Sequence, residues 1–347
     1  MSTIVDAVRA DYYLPPADVL LAADHARRAR ALGYDGFFTA ETSHDPFLPL
    51  GIAAAVAPSL ELGTGIAVAF ARSPMVVAQT AWDLTAASGG KFILGLGTQV
   101  RAHITRRFSM AWAAPGPRLR EYVQALRAIW SAWQEDRPLC FEGDHYRFSL
   151  MTPFFDPGPI DHPEIPVFIA GVGPYLSRLS GEICAGLHIH PLHTVRYLDQ
   201  VTLPALGEGA MVTSRSLTDV AVAAAVFVAT GRTEEQIDAA REVVRKQIAF
   251  YASTPTYRSV LDLHGWEIGP RLSMLARRRE WEAMAGLIND QILDEVAVTG
   301  PPDKVGGLLR ERYGNRLQRI AFYGAGPGVT PGLDDDDWGT IIEAIHS

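Results

Sequence analysis

The sequence predicts an α/β fold of the (β/α)₈ type, the TIM barrel, and three observations support this prediction. Eight short apolar runs that suit buried strands recur along the 347 residues, and most are separated by segments with helical spacing. The stretch Leu62–Gln99 is the clearest such unit, reading strand, helix, strand. A helix crossover between buried strands implies parallel pairing, and eight such units indicate a barrel. The alternative, a doubly wound sheet, would have fewer units and a clear switch point.

The strands are predicted from β-branched, aromatic and small apolar residues that are bounded by glycine, proline or polar residues. In chain order they are Ile4–Val8, Asp35–Ala40, Leu62–Phe70, Lys91–Gly97, Ile165–Ala170, Gly186–His190, Val220–Ala229 and Leu317–Tyr323. Since no linker or break in composition interrupts this series, we expect a single domain over residues 1–347.

Between the early strands, apolar residues recur at helical spacing, and glycine or proline marks the helix ends. One face of the first helix is formed by small apolar residues, namely Val19, Ala22, Ala23, Ala26 and Ala29. Gly33 suits its carboxyl end, and Pro58 ends a second apolar helix, Leu48–Ala57. Pro74 fits the first turn of the third helix, and Gly89-Gly90 ends it.

Two segments are too long for simple crossovers, so we expect insertions after the fourth and seventh strands. The first, Thr98–Glu164, holds a strongly amphipathic helix around Leu119–Trp133, a hairpin at Cys140–Leu150 and a proline-rich extended run. The second, Ala252–Arg316, holds several helical pieces.

The remaining crossovers are helical as well. We expect helices after Pro174, around Ala205 and over Thr233–Tyr251. Four acids, Asp334–Asp337, precede the last helix, where negative charge complements the helix dipole.

Composition narrows the class of protein. With 48% hydrophobic and 20% charged residues the chain has enough apolar residues for a large core. A net charge of −8 argues against a nucleic-acid or anionic membrane surface. Cys140 and Cys184 form neither a disulfide framework nor a metal-binding spacing. The amino end lacks the pattern of a signal peptide, and no apolar run reaches membrane-spanning length, so we expect a cytoplasmic protein.

The strand–helix–strand stretch also carries an ordered set of motifs: G-T-G-I, then R-S-P, a helix, an S-G-G-K turn and F-I-L-G-L-G-T. In this order they resemble the luciferase-like flavin and deazaflavin oxidoreductases, and the chain looks most similar to the branch that uses coenzyme F420. The resemblance implies a TIM barrel of the bacterial luciferase type that transfers a hydride between F420, a deazaflavin, and a small organic substrate. It also implies a homodimer or higher oligomer. The same fold leaves a second reading open, a monooxygenase that uses reduced FMN and dioxygen.

In a barrel the functional residues follow the carboxyl ends of the strands. Glycines follow the fourth and fifth strands at Gly97 and at Gly171–Gly173, where backbone N–H groups could approach a phosphate or a planar ring. The spacing is not that of a dinucleotide-binding fingerprint. The resemblance assigns the cofactor to these two loops, through Thr98, Gln99, His103, Gly171, Val172 and Gly173. Many relatives have glycine in place of Gln99 and asparagine in place of His103.

The second and third strands supply further candidates. Glu41, Thr42 and His44 follow the second strand, and the F420-using relatives carry an acid at the position of Glu41, near the hydroxyl side of the ring. We therefore name Glu41 and Thr42 as cofactor residues, and Glu41 and His44 as candidate catalytic residues. The resemblance also predicts a cis peptide bond between Gly65 and Ile66, in a bulge against the cofactor ring.

The sixth strand reads His188-Ile189-His190, and alternation places both histidines on one face. They are candidate catalytic residues that we expect to line the substrate side of the pocket without a metal. A metal-dependent hydrolase is the less favoured alternative, because no matching acid or lysine follows on the last two strands.

Finally, Arg101, Arg106 and Arg107 cluster after the fourth strand, where they could bind the oligoglutamate tail of F420 or simply face solvent. No hydrolase, metalloprotease or P-loop motif is present, which fits chemistry supplied by a bound cofactor.

Overall fold

The computed structural model describes residues 8–16 and 18–347, and in them eight parallel strands form a closed barrel. The barrel strands are β1 (Arg9–Tyr13), β2 (Gly36–Ala40), β3 (Glu61–Val68), β4 (Phe92–Gly97), β7 (Val167–Gly171), β8 (Gly186–Ile189), β9 (Ala221–Ala229) and β11 (Arg319–Tyr323). They are neighbours in this order, and β11 pairs with β1. Because β9 pairs with both β8 and β11, the sheet closes on itself and is not a doubly wound sheet. The predicted (β/α)₈ barrel is confirmed.

Three further strands lie outside the ring of eight. The short hairpin β5 and β6 (Phe141–Glu142 and Arg147–Phe148) lies in the first insertion, as predicted. Strand β10 (Ala297–Thr299) was not predicted. It pairs with residues 227–229 of β9, beyond the residues 221–224 that pair with β8. Its three residues are too few to show an alternating pattern, so the sequence placed them among helical pieces.

Helices cover the barrel and form most of both insertions. They are α1 (Ala22–Ala31), α2 (Leu48–Val56), α3 (Pro74–Ala87), α4 (Arg101–Arg106), α5 (Pro115–Glu135), α6 (Pro174–Ile183), α7 (Val195–Tyr197), α8 (Leu203–Val212), α9 (Glu234–Ala252), α10 (Arg258–Leu263), α11 (Gly269–Arg278), α12 (Trp281–Ala285), α13 (Asp290–Val296), α14 (Pro302–Tyr313) and α15 (Asp335–His346). Polar caps fix several of their starts: the Ser73 side chain accepts from the Met75 N–H at α3, and Asp334 forms a capping box at α15. In the part of the chain that the structure describes, no helix has the length and apolar character needed to cross a bilayer.

The first strand differs from its predicted position. Of the predicted strand Ile4–Val8, only Val8 belongs to the described residues, and it precedes β1. The strand observed at Arg9–Tyr13 buries Ala10, Asp11 and Tyr12. A buried acid and two tyrosines do not form the apolar run that sequence reasoning looks for, so this strand was placed too early.

Large side chains fill the barrel interior opposite glycines. A Cβ atom at Gly63 would collide with the Phe38 ring, and one at Gly186 would collide with the Phe168 ring. Both phenylalanines are fully or almost fully buried. The interior is therefore packed, as in other barrels of this size, and open space for a ligand lies at the mouth.

Candidate active site

The carboxyl ends of all eight barrel strands meet at one end of the molecule, because the strands are parallel. The residues predicted for the site lie in or after β2, β3, β4, β7 and β8. The fold brings those at the strand ends to this mouth, whereas His188 lies inside the barrel. Their individual environments differ, and those environments decide what each residue can do.

Glu41, directly after β2, is a buried acid with 5% exposure. Its Oε2 atom accepts a hydrogen bond from the Val68 N–H at 2.6 Å and one from Arg72 Nη1, also at 2.6 Å. Its own N–H donates to the Ile66 carbonyl at 2.9 Å. Glu41 therefore joins the end of β2 to the end of β3, a structural role that the sequence did not predict.

Thr42 and His44 continue the chain after Glu41, and both are exposed. The Thr42 carbonyl accepts a hydrogen bond from the Arg107 guanidinium, which links the first insertion to the end of β2. Arg107 thus has a structural partner, whereas Arg101 and Arg106 of the same predicted cluster lie exposed on α4.

The end of β3 contains the predicted bulge. Residues Thr64 and Ile66 pair with the consecutive residues Thr39 and Ala40 of β2, so Gly65 is an extra residue. The Thr64 hydroxyl bonds both the carbonyl and the N–H of Gly95 on β4, at 2.7 and 2.9 Å. These bonds replace part of the interrupted strand pairing.

The predicted cis bond between Gly65 and Ile66 is wrong, because no peptide bond in residues 8–16 and 18–347 is cis. The extra residue and the bonds of Thr64 form the bulge with trans peptides. Ile66 is half-buried and its side chain lies over Gly97 at the end of β4. The bulge therefore still forms a surface at the mouth, with Ile66 on it.

The loop after β4 has an unusual backbone at Gln99, whose φ is +56°. Its side-chain Oε1 accepts a hydrogen bond from the Val100 N–H at 2.9 Å, which holds the turn. This left-handed conformation favours glycine over a residue with a Cβ atom. Thr98 and Gln99 are half-buried, while His103 is exposed on α4.

The loop after β7 leads into the ten-residue helix α6. Gly173 is its N-cap residue, with a φ of −97° that any residue can adopt. Apart from its two chain neighbours, no atom of the described residues lies within 4 Å of the place where a Cβ of Gly173 would stand. The Val172 carbonyl is held by the Tyr197 hydroxyl at 3.2 Å, and Gly171 is buried at the end of β7. Open space in front of a helix N-terminus suits an anionic group.

The two histidines of β8 lie in different places. His188 is inside the barrel, with its ring against Phe38 and Phe168. Its Nε2 is buried without a well-aligned hydrogen-bond partner among the described residues. Burial lowers the pKa of His188 to about 3, so the ring is neutral at neutral pH.

His190 lies at the mouth, beside Gly171 and Val172. The Leu192 N–H donates to its Nδ1 at 3.1 Å, which places the proton of the neutral ring on Nε2. Burial, with a smaller effect of His193, lowers the pKa of His190 to about 3. His190 can therefore donate a hydrogen bond as a neutral imidazole, and it is better placed than His188 to meet a ligand.

Sequence reasoning missed an aromatic group around His190. The ring stacks on Tyr257 with centroids 4.2 Å apart and meets Tyr251 edge-on at 4.5 Å. The Tyr251 hydroxyl is hydrogen-bonded to that of Tyr323, the last residue of β11. Tyr323 could have been found as the residue that ends the eighth strand. Tyr251 lies near the end of α9 and Tyr257 in the second insertion, and neither carries a local signal of a site.

The metal-hydrolase alternative finds no support in this region. Across residues 8–16 and 18–347 no group of three or more histidine, cysteine, aspartate or glutamate side chains lies close enough to hold a metal ion.

The closed parallel barrel, with a bulged third strand and the strand-end loops gathered at one mouth, has the architecture of the TIM-barrel class. Within that class, the chain belongs to the luciferase-like monooxygenase family, whose model matches residues 4–318. The predicted family and the oxidoreductase class are confirmed.

Three similar proteins illustrate the range of this likeness. An uncharacterized protein of Mycobacterium tuberculosis is 50% identical over 306 residues, covering 88% of this chain and 90% of the relative. A 5,10-methylenetetrahydromethanopterin reductase of Methanolobus tindarius is 24% identical over 305 residues, covering 86% of this chain and 88% of that enzyme. The structure of the coenzyme F420 dependent tetrahydromethanopterin reductase from Methanopyrus kandleri matches with a TM-score of 0.79 and 18% identity, covering 98% of each chain.

Proposed function

We propose that the chain is an F420-dependent oxidoreductase that transfers a hydride between the deazaflavin and a small organic substrate. The observation that supports this most directly is that three segments meet at one mouth of the barrel, the β3 bulge and the loops after β4 and β7, with free space at Gly173; we call these segments the cradle. The F420-dependent reductase among the similar structures supports the choice of cofactor.

The residues of this cradle fit the parts of such a cofactor. The free space at Gly173, in front of α6, would take a phosphate group, with Gly171 and Val172 beside it. Thr98, Gln99 and His103 would lie on the other side of the cofactor chain. The ring would rest on the bulge at Gly65 and Ile66, with Glu41 and Thr42 at its edge.

Charge favours F420 over FMN as the cofactor. The oligoglutamate tail of F420 adds negative charges that FMN lacks. Arg101 and Arg106, both exposed on α4 beside the β4 loop, would attract such a tail. FMN remains the alternative that the family also allows.

When bound, the cofactor supplies a ring carbon that gives or accepts a hydride. The chain itself would position the ring through the bulge and shield it from water. His190 would present its Nε2–H to an oxygen atom of a ligand at the mouth, because its Nδ1 already accepts a hydrogen bond from the Leu192 N–H. This role needs only the neutral ring.

Fluorescence titration with F420 and with FMN tests the proposal. We expect F420 to bind at least tenfold more tightly, a difference of about 1.4 kcal/mol. Gly173→Leu should fold normally, because its backbone and surroundings have room, yet weaken F420 binding at least tenfold by filling the cradle. Gly307→Leu on α14, also a position with free space, is the matched control and should bind normally. Equal or tighter binding of FMN would refute the choice of cofactor.

A further inference from the structure

An opening lies at the same mouth, between the ends of β1, β2 and β11. Its volume is about 290 Å³, at the small end of the usual range for ligand pockets. The walls are largely apolar or aromatic and include Tyr13, Pro15, Ala40, Tyr323, Pro327 and Val329. None of the residues assigned to the cofactor except Thr42 lines it. The opening is therefore distinct from the cradle but touches it.

The cavity wall offers no cation for an anionic ligand. No lysine or arginine is among the residues that line it. Its one acidic residue, Asp11, is already paired: Oδ1 and Oδ2 accept hydrogen bonds from Arg319 at 2.6 and 2.7 Å. Phosphate and carboxylate groups are normally bound by arginine, lysine or a helix N-terminus. The wall therefore does not suit an anionic ligand, and because its one carboxylate is already paired it offers no free partner to a cation.

The polar atoms of the wall favour a ligand that carries a hydroxyl group. Gln247 lines the cavity, and its Oε1 atom is buried without a hydrogen-bond partner among the described residues. An unpaired buried acceptor is costly, and a ligand O–H group would satisfy it. The hydroxyl of Tyr323, supported by its bond to Tyr251, is a second polar group of the same wall.

The cavity adjoins the surface assigned to the cofactor ring. Tyr13 forms one wall, and its hydroxyl group lies so close to Gly65 that a Cβ atom there would collide with it. Thr42 belongs to both regions. A molecule in the cavity would thus lie next to the β3 bulge.

We propose that this cavity binds an uncharged alcohol of small size and that this alcohol is the substrate; the second part rests on the proposed function. In the reaction the carbinol C–H bond breaks and its hydride passes to the oxidised deazaflavin. The hydroxyl proton passes to solvent, and the alcohol becomes a carbonyl compound. Atoms and electrons balance with the deazaflavin as the only oxidant.

Ligand-observed NMR on the protein without cofactor tests the binding part. Cyclohexanol and cyclohexyl phosphate share one ring and differ in charge, so they are a matched pair of probes. We expect cyclohexanol to bind and cyclohexyl phosphate to bind at least tenfold more weakly. Val329→Trp should reduce cyclohexanol binding at least tenfold by filling the cavity. Val243→Trp is the control, since Val243 is a similarly exposed valine on α9 away from the cavity.

A pair of variants tests the proposed contact between Gln247 and the hydroxyl group of the alcohol. Gln247→Leu should weaken cyclohexanol binding about three- to tenfold, whereas Gln124→Leu, at an exposed position on α5, should leave it unchanged. Tighter binding of the phosphate, or normal cyclohexanol binding to Val329→Trp, would overturn the proposed binding site.

Titration of F420 separates the two proposals. Val329→Trp should raise the KM for cyclohexanol and leave the Kd for F420 within twofold. If F420 binding falls as much as alcohol binding, the cavity belongs to the cofactor and the inference is wrong. If cyclohexanol binds as expected but F420 does not bind to the parent protein, the proposed function fails while the alcohol site stands.

Discussion

At the residue scale, Glu41 shows how one carboxylate can have both a structural and a proposed ligand-binding role. Its Oε2 accepts bonds from Val68 and Arg72, whereas its Oε1 makes no hydrogen bond within the described residues. Arg72 in turn also pairs with Asp45 at 2.9 Å. Any effect of changing Glu41 must therefore be divided between the ion pair and the cofactor.

Glu41→Gln should weaken F420 binding about ten- to hundredfold, because charge-assisted hydrogen bonds are worth about 1.5–3 kcal/mol. The free energy of unfolding should also fall, by about 1–3 kcal/mol, since the pair with Arg72 loses its charge. Titration and denaturant unfolding measure the two effects. Asp45→Asn removes the other partner of Arg72 and should bind F420 normally; an equal loss in that variant would mean that Glu41 acts only through Arg72.

The buried histidines predict how stability changes with pH. Burial lowers the pKa of His188 to about 3, below the value of about 6.5 expected in the unfolded chain. Between these values the unfolded state binds more protons than the folded state, so stability falls as the pH drops below about 6.5. A fully shifted histidine contributes a slope of about 1.4 kcal/mol per pH unit in that window.

His188→Gln should therefore make the free energy of unfolding less dependent on pH, by about 1.4 kcal/mol per pH unit between about pH 6 and 4.5. Denaturant unfolding at several pH values measures the slope. His44→Gln, at an exposed histidine, should retain the slope of the parent protein. An unchanged slope in His188→Gln would show that this ring does not stay neutral in the folded state.

At the element scale, the loop between β4 and α4 contains one residue with an unusual backbone, Gln99. Gln99 adopts a left-handed backbone, which costs a residue with a Cβ atom about 1–2 kcal/mol, and its own side chain offsets part of this cost. The loop after β4 is thus locally strained, as backbone at functional sites often is.

Gln99→Gly should make the protein more stable than Gln99→Ala does, by about 1 kcal/mol, because glycine adopts the left-handed conformation without strain and alanine does not. The neighbouring Thr98 does not have a positive φ, so Thr98→Ala should be at least as stable as Thr98→Gly. Thermal or denaturant unfolding of the glycine and alanine variants at positions 98 and 99 measures these differences in stability. If Gln99→Ala is at least as stable as Gln99→Gly, the backbone at position 99 is not strained.

At the scale of the whole molecule, a buried ion network joins the first and last barrel strands. Arg319 on β11 pairs with Asp11 on β1 and with Glu61 on β3, and both Arg319 and Asp11 are less than 5% exposed. Asp11 and Arg319 are 308 residues apart in sequence, so the pair forms only when the barrel closes.

Arg319→Met should lower the free energy of unfolding by about 3–5 kcal/mol, because it leaves the buried Asp11 carboxylate without its cation. Arg9→Met is the matched control: Arg9 pairs with the same Glu61, but its side chain is 53% exposed, so its loss should cost about 1 kcal/mol or less. Equal effects of the two substitutions in denaturant unfolding would contradict the structural role given to the buried pair.

The sequence by itself determined seven of the barrel strands to within a few residues, both insertions and the loops at the mouth. Local patterns suffice for these features, because buried strands and amphipathic helices each carry their own periodicity. Glycines and prolines mark the ends of the elements in the same local way. Local patterns therefore predict where each element lies. Parallel connections then place the carboxyl ends of the strands together.

Only the tertiary structure decided which side chains meet. The pairing of Glu41 with Arg72, the burial of His188 below the mouth and the contact of His190 with Tyr257 each join segments that no local pattern relates. The same holds for β10, which is a strand only because β9 extends beyond β8 and leaves an edge to pair with. Such contacts depend on the closure of the whole barrel, since distant residues become neighbours only after every strand has taken its place.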